Sequence, residues 1–95
     1  MNLIRAEIYC DRLRKYPIYN GYRPAFDFGL PDTLLSGEII LDDRGKVLQG
    51  QMALGFIKLL SPELIESKIK YGKKYFFYEG PPSSKPTGFL ILLEK

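Results

Sequence analysis

The sequence of 95 residues contains no histidine, no tryptophan and a single cysteine, Cys10. One cysteine excludes a disulfide within the chain and is typical of a protein from a reducing compartment. Because the chain has no histidine to act as a base for a nucleophilic thiol, we expect Cys10 to be a buried thiol on a strand. The missing histidine and the scattered carboxylates also argue against a metal site. We therefore predict neither a metal nor a cofactor.

Several longer features are missing as well. The sequence has no apolar run long enough to span a membrane and no N-terminal signal segment, so we expect a cytoplasmic protein without a membrane partner. It has no G-x-x-x-x-G-K-S/T loop, because Gly72-Lys73-Lys74 lacks the upstream glycine and the hydroxyl, so no nucleotide is expected. Asp42 and Asp43 are adjacent and point apart at the end of a strand, where they favour a solvated turn over an acid pair. We predict no enzymatic activity.

The sequence does contain thirteen aromatic residues, seven tyrosines and six phenylalanines, which favour β-strands. Six segments show alternating apolar residues or a short apolar run, and glycine- and proline-rich turns separate them. They span residues 3–10, 22–28, 36–41, 51–60, 73–79 and 87–94. Such spacing is typical of an all-β antiparallel barrel or sandwich formed by one domain, residues 1–95. Residues 62–71 have helical spacing, for which we expect at most one short helical turn.

Alternation also assigns residues to the inside of this domain. The most regular stretch follows the Asn20-Gly21 turn, where Tyr22, Pro24, Phe26 and Phe28 share one face of a strand. We expect the core to include Ile8, Phe26, Phe28, Ile39, Phe56, Ile57, Tyr75 and Phe77. For Tyr16 and Tyr19 we expect packing at the end of the barrel, because aromatic residues in small β domains usually belong to the core.

The run N-G-Y-R-P-x-F-x-F at residues 20–28 resembles the C-terminal β-barrel domain of elongation factor Tu. Three further segments resemble strands of the same domain: A-E-I-Y at 6–9, S-G-E-I at 36–39 and Y-G-K-K-Y-F-F-Y-E-G at 71–80. The resemblance covers nearly the whole chain. It implies a six-stranded antiparallel β-barrel, and we adopt that fold.

The resemblance also implies surfaces, since the barrel of the elongation factor contacts transfer RNA, its own neighbouring domains and an exchange factor. Arg23 and Glu79-Gly80 match the family, whereas Ala25, Gly29 and Tyr78 replace a polar and two basic residues. The net charge of +3 is modest. We therefore expect RNA binding to be weak and sensitive to salt. The candidate RNA contacts are Arg12, Arg14, Lys15, Arg23 and Gly80.

Two functions remain open from the sequence. The first is a non-enzymatic, stand-alone interaction module, related to translation, that binds a protein partner or a second copy of itself. The alternative is an RNA-binding barrel that uses basic loops and exposed aromatic residues. The first is favoured by outward-facing Phe76 and Tyr78 and by the run Phe89–Leu93, which is apolar on both faces. The candidate partner surface is Phe76, Tyr78, Leu90 and Leu92, unless the 62–71 or 81–86 segment covers it.

Overall fold

The computed structural model describes residues 3–80 and 84–94, in which the chain forms eight strands and one turn of 3-10 helix. The strands are β1 (Leu3–Cys10), β2 (Ile18–Tyr19), β3 (Ala25–Phe26), β4 (Leu35–Leu41), β5 (Lys46–Val47), β6 (Met52–Leu59), β7 (Lys74–Tyr78) and β8 (Gly88–Leu92). The 3-10 turn spans Pro62–Leu64 and confirms the predicted short helical turn. Residues 81–83, in the predicted proline-rich loop, lie outside the described residues.

Six of these strands close into an antiparallel barrel in the order β1-β6-β4-β3-β7-β8, with β8 paired back to β1. This confirms the predicted all-β, six-stranded antiparallel barrel. Each barrel strand lies in one of the six predicted segments, except that β4 begins one residue earlier, at Leu35. The remaining strands, β2 and β5, pair with each other as a two-stranded ribbon. The sequence did not predict the ribbon, since two residues per strand are too few for alternation to be visible.

The regular stretch after Asn20-Gly21 contributes only Ala25–Phe26 to the ladder, which is shorter than predicted. Pro24 has no N–H to donate, so regular pairing starts after it. The predicted alternation nevertheless holds, because Pro24, Phe26 and Phe28 are buried. At the preceding turn Gly21 has a φ of 91°, and the side-chain oxygen of Asn20 accepts a hydrogen bond of 2.7 Å from the Leu41 N–H. The turn is thereby fixed to the end of β4.

The interior of the barrel is mostly aliphatic, and seven of the eight predicted core residues are buried in it. The exception is Phe56, which is half-buried on the outside of β6, where the Arg5 guanidinium lies 4.8 Å from its ring centroid. Phe56 and Ile57 are consecutive, so alternation allows only one of them to face inward. Gly55 lies on the buried side of β6, where a side chain would meet the Ile40 carbonyl oxygen. Ile57 therefore shares the inner face with Gly55.

Cys10 closes the inner face of β1, and its predicted burial is confirmed. Burial raises the pKa of the Cys10 thiol, an effect that the nearby positive charge of Arg14 partly offsets. A thiol that is both buried and hard to ionise is a poor nucleophile.

Candidate interaction surfaces

A row of apolar side chains crosses the outside of four neighbouring strands. In the register of the barrel Phe76 on β7 faces Phe89 on β8, Phe89 faces Tyr9 on β1, and Tyr9 faces Met52 on β6. The rings of Tyr9 and Phe89 are stacked with centroids 4.4 Å apart, and Phe76 meets Phe89 edge-on at 5.9 Å. Met52 and Phe76 remain 43% and 40% exposed. The row is therefore packed internally and still open to solvent.

A second row lies beside the first and is more mixed. Lys74 faces Ile91, Ile91 faces Glu7, and Glu7 faces Leu54, which is 41% exposed. Both charged residues of this row are engaged with the aromatic row. The Lys74 ammonium lies 4.3 Å from the centroid of Phe89, and Glu7 accepts a hydrogen bond of 3.0 Å from the Tyr9 hydroxyl. We call the apolar members of both rows the outer apolar face: Tyr9, Met52, Leu54, Phe76, Phe89 and Ile91.

The structure corrects part of the predicted partner surface. Phe76 is exposed, but Leu90 and Leu92 are fully buried in the barrel and contribute nothing to its outside. The reason is the pairing of β8 with β7, which places Gly88 opposite Phe77 and Leu90 opposite Tyr75, on the inner face. The outward residues of β8 are instead Phe89 and Ile91.

Tyr78 is on the outward side of β7, as predicted, two residues beyond Phe76. It is half-buried and pairs with Ala25 on β3. Of the four predicted partner residues, Phe76 therefore belongs to the outer apolar face and Tyr78 follows it on the same side of β7.

A network of polar side chains fixes one end of the barrel. Arg14 forms an ion pair with Glu79 and donates a hydrogen bond of 3.0 Å to the Tyr22 hydroxyl oxygen. The Tyr22 hydroxyl donates to Glu79 over 2.8 Å, and its oxygen lies 2.9 Å from Thr87 Oγ1. The Arg14 guanidinium also lies 4.7 Å from the centroid of the Tyr22 ring. The network joins the 11–17 loop to the ends of β7 and β8.

The network shifts the pKa values of Tyr22 and Glu79. Burial is the main reason why the pKa of Tyr22 rises to about 12, and the bond to Glu79 raises it further. The hydrogen bond from Tyr22, followed by the bond and charge of Arg14, lowers the pKa of Glu79. Both groups are thus held in their usual charge states at neutral pH, which fits a structural role.

The five candidate RNA contacts lie in three different places in the structure. Arg14 serves the network, and only 13% of its side chain is exposed. Arg12 and Lys15 are exposed on the same loop, and Gly80 is exposed just after Glu79. Arg23 lies apart, in a shallow cleft with Glu38 and Lys58, where its guanidinium is 3.7 Å from Glu38. The five residues therefore do not form one site.

Comparisons with known proteins do not assign the chain, because no family model and no curated protein sequence matches it. Within residues 3–80 and 84–94, no group of three or more histidine, cysteine or acidic residues is arranged to hold a metal ion. No helix in the described part of the chain has the length and apolar character needed to cross a membrane.

The expectation that Tyr16 and Tyr19 pack against the barrel end is wrong, because these side chains are 59% and 55% exposed. Ile18 lies between them in sequence and is fully buried under the ribbon, so its neighbour Tyr19 on β2 points outward. Ile18 is the fully apolar residue of this segment, and it could have been predicted to face the core instead of the two tyrosines.

Sequence reasoning also missed most of the outer apolar face. Tyr9 shares the outer side of β1 with Arg5 and Glu7, so the sequence alone does not indicate an apolar surface there. Its aromatic neighbour Phe89 belongs to a strand distant in sequence. Only the closed register brings the two rings together.

Proposed function

We propose that this barrel is a non-enzymatic interaction module that binds a protein partner, or a second copy of itself, through the outer apolar face. The observation that carries the proposal is the unbroken row of Phe76, Phe89, Tyr9 and Met52 across four adjacent strands. Solvent-facing strand positions are normally polar, and contiguous exposed apolar patches usually mark interfaces. Aromatic residues and methionine are also enriched at the centres of protein interfaces.

The closure of the barrel limits how a partner binds. All six barrel strands are paired on both sides, so none offers a free ladder for strand addition. Recognition by the barrel wall must therefore use side chains. The outer apolar face fits this requirement, because its two aromatic contacts hold the rings in place before a partner arrives. Preordered side chains lose less entropy on binding than flexible ones.

A relationship to the C-terminal barrel of elongation factor Tu is part of this proposal. It is supported by the number of barrel strands and by the positions of the resembling segments, which fall on β1, β4 and β7. A role related to translation, in the cytoplasm, follows from that resemblance. The sole cysteine, buried and without a partner thiol, is compatible with a reducing compartment.

The proposal is tested with a double variant, Leu54→Gln and Phe76→Gln, which replaces two exposed residues of the outer apolar face. The matched control is Leu60→Gln with Leu64→Gln, which replaces two exposed leucines beyond the end of β6. Self-association is measured by sedimentation equilibrium. Partner binding is measured by affinity capture and then by titration with the purified partner.

We expect the first double variant to weaken dimer or partner binding by more than about tenfold, since a few residues supply most of the binding energy of an interface. The control should bind as the unchanged protein does. A protein that stays monomeric at high concentration, and captures the same proteins with and without the Leu54 and Phe76 substitutions, would contradict the proposal.

A further inference from the structure

The barrel end that carries the ribbon has a second surface, built from cations and exposed tyrosines. Its members are exposed residues of the 11–17 loop, the ribbon and the segment before β8, and we call them the basic aromatic end: Arg12, Lys15, Tyr16, Tyr19, Lys46 and Lys85. None of them belongs to the outer apolar face. Within residues 3–80 and 84–94 no salt bridge includes any of these four cations.

Each tyrosine of this end has a lysine beside it. Tyr19 and Lys46 are directly opposite each other on the ribbon, and both are exposed because Ile18 and Val47 occupy its buried side. The Lys15 ammonium lies 5.5 Å from the centroid of the Tyr16 ring. Two flat apolar rings, each with an adjacent positive charge, are thus presented to solvent.

The loop that carries Lys15 and Tyr16 is held in place by hydrogen bonds at three points. The Leu13 N–H donates to the Asp11 carboxylate at 3.0 Å, and Arg14 Nε donates to the Tyr16 carbonyl oxygen at 2.7 Å. Gln49 Nε2 donates to the Lys15 carbonyl oxygen at 3.1 Å. These bonds fix the backbone beneath both side chains, so the surface is largely formed in advance.

The four cations of this end outnumber the nearby carboxylates that lack a cationic partner. Glu79 is paired with Arg14. Asp11 and Asp43 accept hydrogen bonds from the Leu13 and Gly45 N–H groups, and no salt bridge among the described residues includes them. This end therefore carries a net positive charge. Between the 11–17 loop and the segment before β8 lies an open cleft of about 360 Å³, lined by Lys15, Tyr16 and Lys85 and also by Asp11 and Glu79.

We propose that the basic aromatic end binds single-stranded nucleic acid, with Tyr16 and Tyr19 stacking on bases and the neighbouring cations contacting phosphates. Single strands expose the faces of their bases, and proteins bind them by combining aromatic stacking with a positively charged path for the backbone. A duplex hides its base faces, so it would leave the two tyrosine rings without a partner. An acidic polypeptide would match the cations but offers no flat groups for the tyrosines. Each tyrosine with its neighbouring lysine offers one ring for a base and one cation for a phosphate.

The test uses fluorescence anisotropy with three probes: a fluorescein-labelled oligouridylate, a duplex RNA of the same length and a labelled polyglutamate. We expect the single strand to bind most tightly. About three or four phosphate contacts should make its affinity fall about 20- to 50-fold between about 50 and about 200 mM salt. No binding of the oligouridylate at low salt, equal binding of the duplex, or tighter binding of polyglutamate would each overturn the proposal.

Two pairs of variants separate stacking from charge. Tyr16→Ala with Tyr19→Ala should weaken binding of the oligouridylate at least about fivefold, whereas Tyr71→Ala, an equally exposed tyrosine elsewhere, should not. Circular dichroism confirms that each variant is folded. If removal of Tyr16 and Tyr19 leaves the affinity unchanged, the stacking model is wrong.

The charge pair is Lys15→Gln with Lys46→Gln. It should reduce the slope of log affinity against log salt by about 1.4, from about 0.7 per phosphate contact. The control, Lys68→Gln with Lys70→Gln, removes the same net charge from another exposed segment and should leave the slope unchanged. Equal effects of the two pairs would indicate attraction by net charge alone and overturn the assigned site. These variants leave the outer apolar face intact, so failure here is distinguishable from failure of the proposed protein-binding function.

Discussion

Two consecutive phenylalanines on β7 provide a direct test of the barrel, because they face opposite sides of its wall. Phe77 is fully buried, with its ring edge-on to Phe26 at 5.8 Å and to Tyr22 at 6.2 Å. Phe76 is 40% exposed on the outer apolar face. Phe77→Ala leaves a cavity among fixed rings, and we expect it to lower the free energy of unfolding by about 3–5 kcal/mol. Phe76→Ala should lower it by about 1 kcal/mol or less, because most surface substitutions have small effects.

The difference is large compared with the stability of a domain of this size, which is typically about 5–15 kcal/mol. Guanidinium unfolding followed by circular dichroism measures both variants. In thermal scans, a loss of about 3–5 kcal/mol corresponds to a melting temperature lower by about 12–40 °C. If Phe77→Ala does not fold, Phe77→Leu is compared with Phe76→Leu. The expected loss is on the order of 1 kcal/mol at Phe77 and about 0.5 kcal/mol or less at the exposed Phe76. Equal losses at the two positions, or a larger loss at Phe76, would mean that β7 is shifted by one residue and that the outer apolar face is misassigned.

Three further predictions concern close packing and pH. Gly55→Ala should lower stability by about 1–3 kcal/mol in chemical unfolding, because its β-carbon would meet the Ile40 carbonyl oxygen; an unchanged midpoint would contradict that close approach. In the folded protein the pKa of Glu79 lies below its usual 4.5. Its ionisation therefore contributes to the free energy of unfolding above pH 4.5, and this contribution is lost as the pH falls through the lowered pKa. Glu79→Gln should flatten the acid side of the stability curve, and an unchanged acid slope would rule out this linkage. The pKa of Tyr22 is raised from 10 to about 12 in the folded protein, so the unfolded chain ionises first as the pH rises. The contribution of Tyr22 to the free energy of unfolding is therefore present below pH 10 and is lost toward about pH 12. Tyr22→Phe should flatten the alkaline side of the stability curve.

The sequence was sufficient to predict the six barrel strands, because most of them are long enough for alternation to be visible between glycine and proline turns. The prediction for β8 was wrong, because it placed Leu90 and Leu92 on the outside. The run Phe89–Leu93 is apolar at every position, so alternation alone assigns no inner face. The structure assigns it through Gly88, whose close contacts with the Tyr9 carbonyl oxygen and the Phe77 ring leave no room for a side chain. Glycine at that inward position places Leu90 and Leu92 inside.

The candidate surfaces were harder to predict for a related reason. The outer apolar face joins β7, β8, β1 and β6, and its shortest ring contact, Tyr9 with Phe89, joins residues 80 positions apart in the sequence. Pairing between segments so far apart depends on barrel closure, which no local pattern encodes. The basic aromatic end depends likewise on the ribbon, whose two-residue strands have no detectable period. Arg14 was misjudged because its partners Tyr22 and Glu79 lie on other segments.

The distribution of aromatic side chains links the two surfaces. Of the thirteen aromatic residues only four are buried, Phe26, Phe28, Tyr75 and Phe77, whereas the rest of the core is aliphatic apart from Cys10. The usual explanation of many aromatics in a small β domain, that they fill the core, therefore fails for most of this chain. Outward aromatic rings add little to the stability of an isolated barrel, because water still reaches them. Five of the other nine lie on the two surfaces: Tyr9, Phe76 and Phe89 among apolar neighbours, and Tyr16 and Tyr19 beside lysines. Two such groups of outward rings are the pattern expected of surfaces that recognise two chemically different partners.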